Sequence, residues 1–182
     1  MSISGTAGSG FTLPPFYSYP PYFTLQPVKE ARDRQLSLWS QLILAYCKHH
    51  KVFTINTQQD DFPLFKNTNI DRCLSSRAIT EILDDMASQG SVEWLDKSKR
   101  ACFVLWKKVP EWANTIHSFV KTFGLSDTVM TLDELSSGDD VRGTEFCGIP
   151  QELLIRALVV LEAQGKCKMF KGVSEERGVK FT

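Results

Sequence analysis

The sequence has no apolar run approaching the roughly 18 residues needed to span a bilayer. Its start, Met1 to Gly10, is small and polar, with no basic region leading into an apolar one, so a secretory signal is not expected. Ser2 stands where the myristoylation pattern requires glycine. Cysteine is sparse: Cys47, Cys73, Cys102, Cys147 and Cys167 make an odd five, with no CxxC pair. Zinc needs clustered thiolate and imidazole ligands. No such cluster stands among these cysteines and the three histidines, His49, His50 and His117. Reduced, mostly core cysteines of a cytosolic protein are therefore expected, with no metal and no cofactor. Catalytic signatures are missing too: no GxSxG, P-loop, HExxH or Gly-rich dinucleotide motif. Asp60-Asp61 and Asp139-Asp140 stand without an associated base or ligand and read as solvated loop charges. No enzyme is expected, catalytic residues included.

Net charge is also lacking, at zero over 182 residues. Its distribution is uneven. Residues 28–108 hold thirteen Lys/Arg against ten Asp/Glu, and residues 109–182 hold eight against eleven. A 42% hydrophobic fraction is enough for packed cores.

Proline is scarce except in one place. Five of the eight prolines fall in residues 11–27, FTLPPFYSYPPYFTLQP, among six aromatics. Proline fixes φ and removes a backbone donor, so an extended segment close to polyproline II is expected. Two half-repeats stand out: Pro14-Pro15-Phe16-Tyr17 and Pro20-Pro21-Tyr22-Phe23. They are six residues apart, two turns of a three-residue helix, so their prolines can face one way. Such a segment loses little entropy on docking, and its aromatics supply apolar area. Three readings stand: docking onto a partner, folding back on its own first domain, or serving as a WW-domain ligand through the PPxY form of PPFY.

The rest of the chain alternates helix and short strand. A helix from Val28 carries Leu36, Trp39, Leu42, Ile43 and Tyr46/Cys47 at helical spacing. Val52–Ile55 reads as a strand. Ser75 or Ser76 caps a helix with Ile79, Ile82, Leu83 and Met86 on one face, and Gly90 ends it. Ser91–Leu95 and Ala101–Trp106 read as a hairpin. Pro110 opens a helix running to Phe123. Val129–Leu132 is short and apolar, and Asp133–Gly143 reads as an acidic loop. Pro150 starts a helix with Leu154, Ala157, Leu158 and Leu161 inward, ending at Gly165. Lys166–Phe170 and Gly178–Phe181 form a second hairpin.

These blocks match at a constant offset of 75 residues. Ile79 pairs with Leu154, Ile82 with Ala157, Leu83 with Leu158 and Met86 with Leu161. Gln89-Gly90 pairs with Gln164-Gly165, Val92 with Cys167, Trp94 with Met169, Val104 with Val179 and Trp106 with Phe181. A final amphipathic helix followed by a two-stranded wing is the winged-helix plan. The expected fold is α+β, mainly α: two tandem winged-helix domains, 28–108 and 109–182, behind a disordered or extended docking tail, 1–27.

Winged helices often bind nucleic acid, and a winged-helix nucleic-acid-binding regulator is the alternative reading. Charge argues against it, because Lys and Arg dominate affinity for phosphate backbones. Helix Ser75–Gln89 sets Arg77 against Glu81, Asp84 and Asp85. Helix Gln151–Gln164 sets Arg156 against Glu152 and Glu162. Fold alone does not assign function.

Several stretches together resemble one family: PPFYSYPPYFTLQP, Arg34-Gln35-Leu36 with Trp39, Pro63-Leu64-Phe65 and SVEWLDKSK at Ser91–Lys99. Trp106, Pro110-Glu111-Trp112, Thr131-Leu132-Asp133-Glu134-Leu135 and Arg177-Gly178-Val179-Lys180-Phe181 continue the match. They are similar to the vacuolar protein-sorting-associated protein 25 family, the small subunit of ESCRT-II. The first tail motif keeps the PPxY form, and the second ends in Phe23 instead.

The resemblance implies a non-catalytic subunit, two copies of which join one copy each of two larger ESCRT-II subunits. Pro14, Pro15, Phe16, Tyr17, Pro20, Pro21, Tyr22 and Phe23, with the first domain, would dock those subunits. The second domain would recruit the ESCRT-III charged multivesicular body protein 6. The setting implied is sorting of ubiquitinated membrane cargo into multivesicular endosomes, with a cytoplasmic chain recruited to endosomal membranes through partners. No direct membrane anchor and no nucleic acid are expected. Asp133, Glu134, Asp139, Asp140 and Glu145, opposed in their segment only by Arg142, make an acidic stretch suited to a basic partner helix. They are the candidate ESCRT-III contact.

Overall fold

Helix α1 spans Lys29–His50, and its buried stripe of Leu36, Trp39, Leu42, Ile43, Tyr46 and Cys47 follows the expected helical period. It stops where Lys51 turns left-handed, after Lys48, His49 and His50 have placed basic groups at the negative end of the helix dipole. The computed structural model describes residues 10–59 and 61–182. The start to Ser9, expected to be disordered, lies outside the described residues. So does Asp60 of the expected loop pair, while Asp61 is exposed.

After α1 come β1 (Thr54–Asn56), a 3-10 turn at Pro63–Phe65, β2 (Lys66–Asn67) and β3 (Arg72–Cys73). Helix α2 (Ser76–Ser88) follows, with the Ser75 hydroxyl accepting from the Ala78 amide at 3.1 Å. Strands β4 (Val92–Trp94) and β5 (Ala101–Val104) close this part. The remaining elements are α3 (Val109–Thr122), β6 (Val129–Thr131), α4 (Leu132–Ser137), a 3-10 turn at Asp139–Val141, α5 (Gln151–Ala163), β7 (Cys167–Lys171) and β8 (Arg177–Phe181). The fold is α+β, with five α-helices and three small antiparallel sheets among the described residues. The chain divides into two compact units between Trp106 and Lys107.

Each unit contains a three-stranded sheet with the same plan. In the first the strand order is β1-β5-β4, and in the second β6-β8-β7. β1 and β6 lie 75 residues apart, as do the capping positions Ser75 and Pro150 and the glycines Gly90 and Gly165, both at positive φ. The expected unbroken 75-residue register fails at the last strand. Val92 faces Val104 and Trp94 faces Cys102, whereas Cys167 faces Phe181 and Met169 faces Val179. Val104 therefore corresponds to Phe181, and Cys102 to Val179, 77 residues on. The physical reason is strand length. β7 has five residues against three in β4, so the second hairpin runs two residues further before it turns. Trp106, matched to Phe181 by sequence, lies beyond its strand, and its indole N–H donates to the Val52 carbonyl at 2.9 Å.

The acidic stretch after β6 begins as a helix where a loop is expected. Thr131 and Glu134 form a capping box: the Glu134 amide donates to the Thr131 hydroxyl at 3.1 Å, and the Thr131 amide to the Glu134 carboxylate at 2.8 Å. That reciprocal pair nucleates α4 over Leu132–Ser137.

Candidate functional site

The proline/aromatic segment is not extended polyproline II. Residues Pro15–Ser18 and Pro20–Phe23 form two 3-10 turns. Proline at the first position of a turn presets φ and loses no needed donor. Pro14 and Tyr19, which precede the turns, are extended.

The two turns lie against the first unit and complete its core. Tyr17 and Phe23 are buried, at 5% and 3% exposure. Trp39 is at the centre of an aromatic cluster. Its ring meets Phe23 edge-on at 5.3 Å, Phe16 at 5.7 Å and Tyr17 at 6.0 Å. Aromatic side chains of this size carry large apolar area, which explains why the segment packs onto α1 instead of standing in water. Of the three readings of the tail, folding back on its own unit describes this structure.

Polar groups lock the backbone. The Trp39 indole N–H donates to the Tyr22 carbonyl at 2.8 Å. The buried Gln35 amide, one turn earlier on α1, donates to the Tyr22 and Thr24 carbonyls at 2.9 and 2.8 Å and accepts from the Gln26 amide at 3.1 Å. The buried Asn67 side chain on β2 donates to the Tyr17 carbonyl at 2.8 Å. The Tyr17 hydroxyl lies within donating distance of the Leu64 and Lys66 carbonyls, at 3.1 and 3.2 Å. Burial pushes the Tyr17 phenol up to about 12, because the phenolate would lose its water.

Asn67 was not singled out by sequence, and Gln35 entered only as part of the motif Arg34-Gln35-Leu36, with no role attached. Gln35 does leave a trace: it sits on the apolar stripe of α1, one turn before Trp39. A polar side chain there needs a partner.

What the segment leaves outside is a ridge. Pro15, Ser18, Tyr19 and Pro21 are exposed, with Tyr19 at 59%. Pro14, Phe16, Pro20 and Tyr22 are half-buried. The eight tail residues thus divide into Tyr17 and Phe23, which face inward, and six with surface to offer. An apolar groove of about 240 Å³ runs beside the ridge, lined by Phe11, Pro14, Phe16, Leu38, Leu42 and Ala45 among others.

In the second unit the five acidic residues are all exposed. Asp133 and Glu134 lie on α4, and Asp139 and Asp140 on the following 3-10 turn. Asp133 accepts from the Gln151 side chain at 2.5 Å, so it lies at the head of α5. Asp139 pairs with Arg142 at 2.8 Å. Glu145 pairs with Lys107, whose ammonium also sits over the Trp112 ring at 5.1 Å. The stretch is therefore partly neutralised, with Glu134 spent on its cap.

Among the described residues no group of three or more His, Cys, Asp or Glu could hold a metal. None of their helices is long and apolar enough to cross a membrane.

A family model described as "ESCRT-II complex subunit" matches residues 16–150. The chain belongs to the VPS25 family of ESCRT-II subunits. Vacuolar protein sorting-associated protein 25 of Arabidopsis thaliana is 49% identical over 94% of this chain and 96% of its own length. The Homo sapiens protein of that name is 37% identical over 94% and 97%. The crystal structure of subunit VPS25 of the endosomal trafficking complex ESCRT-II superposes with a TM-score of 0.79 at 32% identity, covering 93% of this chain and 98% of that one. A chain in the crystal structure of ESCRT-II (VPS22/VPS25/VPS36) gives 0.76, also at 32% identity. The VPS25 family is non-catalytic, and its members are subunits in endosomal trafficking.

Proposed function

We propose that this chain is an endosomal sorting adaptor built from two winged-helix domains, 28–108 and 109–182, behind a docking segment, 1–27. The segment and first domain join two larger ESCRT-II subunits, counterparts of the VPS22 and VPS36 of the similar complex, with two copies of this chain per assembly. The second domain recruits the ESCRT-III charged multivesicular body protein 6 through Asp133, Glu134, Asp139, Asp140 and Glu145. The adaptor acts in sorting ubiquitinated membrane cargo into multivesicular bodies, and partners bring it to the endosomal membrane.

One observation carries the assembly role. The tail backbone is fixed by Gln35, Trp39 and Asn67 while Pro15, Tyr19 and Pro21 stay exposed. A preorganised ridge of proline and tyrosine presents apolar area at small ordering cost. Pro14, Phe16, Pro20 and Tyr22 form its flanks, and Tyr17 and Phe23 hold it from inside. The triple variant P15S/Y19S/P21S touches the ridge and leaves the anchors. Co-purification with the two larger subunits should fall sharply, while stability drops by no more than about 1–2 kcal/mol, the cost of losing two pre-set prolines. Full recovery of the complex would reject this role. For the second domain, D139K/D140K should weaken ESCRT-III binding and leave ESCRT-II assembly intact; undiminished affinity would remove the acidic stretch from the contact.

A further inference from the structure

The outer faces of the two three-stranded sheets differ in kind. Strand pairing fixes one row of side chains across each. In the first unit the row is Thr54, Phe103 and Glu93, and Phe103 is buried. The counterpart row in the second unit is Val129, Lys180 and Lys168. Val129 is 58% exposed, and both lysines are exposed. Two ammoniums directly opposite each other on neighbouring strands repel. Phe170 lies on the same face, over Gly178 on the facing strand, where an added Cβ would meet its ring at 2.8 Å.

More lysines gather at one end of this face. Lys166 precedes β7, and its carbonyl accepts from the Thr182 amide at 3.1 Å, which continues the ladder by one pair. The turn after α3 is tied to β8. The Asp127 amide donates to the Phe181 carbonyl at 2.9 Å, and the Phe181 amide to the Thr128 carbonyl at 3.2 Å. That brings Lys121 and Phe123, which is 64% exposed, toward Lys166. Burial, with the Lys166 and Lys121 ammoniums beside it, holds the His117 imidazole below the usual histidine range. Lys121, Lys166, Lys168 and Lys180 are four of the eight Lys/Arg in residues 109–182. None of the four is in an ion pair among the described residues. Anions stand at the border: Asp127 in that turn, and Glu175 and Glu176 beyond Lys171. Glu162 is a third border group, its carboxylate accepting from the Met169 amide at 3.0 Å.

We propose that the outer sheet face of the second unit, centred on Lys168 and Lys180, rests on an anionic lipid surface. Its four cations are all lysines, compact point charges that suit diffuse negative charge, with none of the forked guanidiniums that best grip a nucleic-acid backbone. Val129, Phe170 and Phe123 enter the interfacial layer of the lipid, whereas against a duplex backbone they would stay in water. Lipid headgroups also relieve the repulsion between Lys168 and Lys180. The contact is not an anchor. It orients the second unit once partners have delivered the chain to a membrane, and so goes beyond the adaptor reading.

The test is sedimentation of the full chain with vesicles at low salt. Vesicles of phosphatidylcholine alone are compared with vesicles in which about a third of the lipid is phosphatidylserine. The chain should pellet with the anionic vesicles only, and rising salt should release it. K168Q/K180Q should cut the partition about tenfold, a few-fold for each lysine, with unchanged thermal unfolding. V129S/F170S leaves the charge untouched and should cut it about threefold. K48Q/K97Q removes two exposed lysines of the first unit and should leave it within about twofold.

Equal pelleting with both vesicles, pelleting with neither, or full partition in K168Q/K180Q or in V129S/F170S would each overturn the proposal. An equal loss in K48Q/K97Q would reduce the effect to net charge and overturn it too. Tighter binding of a DNA duplex at the same salt, lost in K168Q/K180Q, would assign the face to nucleic acid and overturn it as well. No ESCRT subunit takes part, so failure here is distinct from failure of the ridge and D139K/D140K tests.

Discussion

The two units share a frame and cover their first helices differently. In the first, α1 has 22 residues and is covered by a segment that precedes it, through Tyr17, Phe23 and the Trp39 cluster. In the second, α3 has 14 residues and is covered by residues between β6 and α5. There Phe146, fully buried, meets Phe119 edge-on at 5.3 Å, and Leu132, Leu135, Val141 and Ile149 of the same stretch are buried too. One unit takes its missing layer from the N-terminal side, the other from an internal stretch. The lesson is that a proline-rich terminus can be core, and that residue composition alone does not separate a linker from a layer.

Removing the first unit's layer is the strongest way to break this comparison. A chain starting at Gln26 loses Tyr17 and Phe23, and truncating a large buried aromatic costs about 3–5 kcal/mol. The two together approach the whole stability of a typical domain, about 5–15 kcal/mol. Hydrogen exchange should show amides of α1, β1 and β5 unprotected while those of α5 and β8 stay protected. Protection retained throughout would reject the tail as core.

Tyr17→Phe is a smaller probe. It keeps the ring and leaves the Leu64 and Lys66 carbonyls without the hydroxyl, at a cost of about 1–3 kcal/mol. Tyr19→Phe, on the exposed ridge, should stay within about 0.5 kcal/mol. Urea unfolding of the pair reads the difference.

Alkaline pH probes the tail-covered core next. The folded Tyr17 phenol is raised to about 12 from 10, and Tyr46 is also raised, both by burial. Above pH 10 the unfolded chain therefore releases protons that the folded chain keeps. Stability falls as pH rises, by about 1.4 kcal/mol per pH unit for Tyr17, until the folded value is passed near 12. All four tyrosines lie in the first unit. The tyrosinate absorbance of Tyr17 and Tyr46 should thus rise in step with the unfolding of that unit, and Tyr17→Phe should remove part of the coupled rise. Ionisation of these two before any unfolding would contradict the burial argument.

Gly178→Ala is the mildest test. Gly178 corresponds to Ala101 at the step of 77, and an added Cβ would come within 2.8 Å of the Phe170 ring. That ring is 41% exposed and can swing outward, so the expected cost is below about 1 kcal/mol. A larger loss in melting temperature would mean that Phe170 is held in place.

Much of the frame was legible because it is written in local signals. The Ser75 cap, the glycines at 90 and 165 and the inward stripes of α2 and α5 each follow from residues a few positions apart. The longer second hairpin was not legible, since nothing in residues 167–181 says where β7 turns until strand pairing decides it. The tail was misjudged for the same reason. Five prolines describe local stiffness, but the partners that bend the segment are Trp39, Leu64 and Asn67, reached only across the fold. The acidic candidates were found as a run of sequence, although the contacts of Asp133 and Glu145, to Gln151 and Lys107, come from elsewhere in the second unit.

The grip of α1 and β2 on the tail falls on main-chain carbonyls, those of Tyr17, Tyr22 and Thr24. A hydrogen bond to a carbonyl is indifferent to the side chain that residue carries. Positions 18 and 19 can therefore be rewritten without loosening the segment, whereas Pro15 and Pro21 also preset φ for their turns. The tail behaves as a mounting rail: its attachment is constant while the face it displays is free to vary, so new binding preferences can be set there at little risk to the fold.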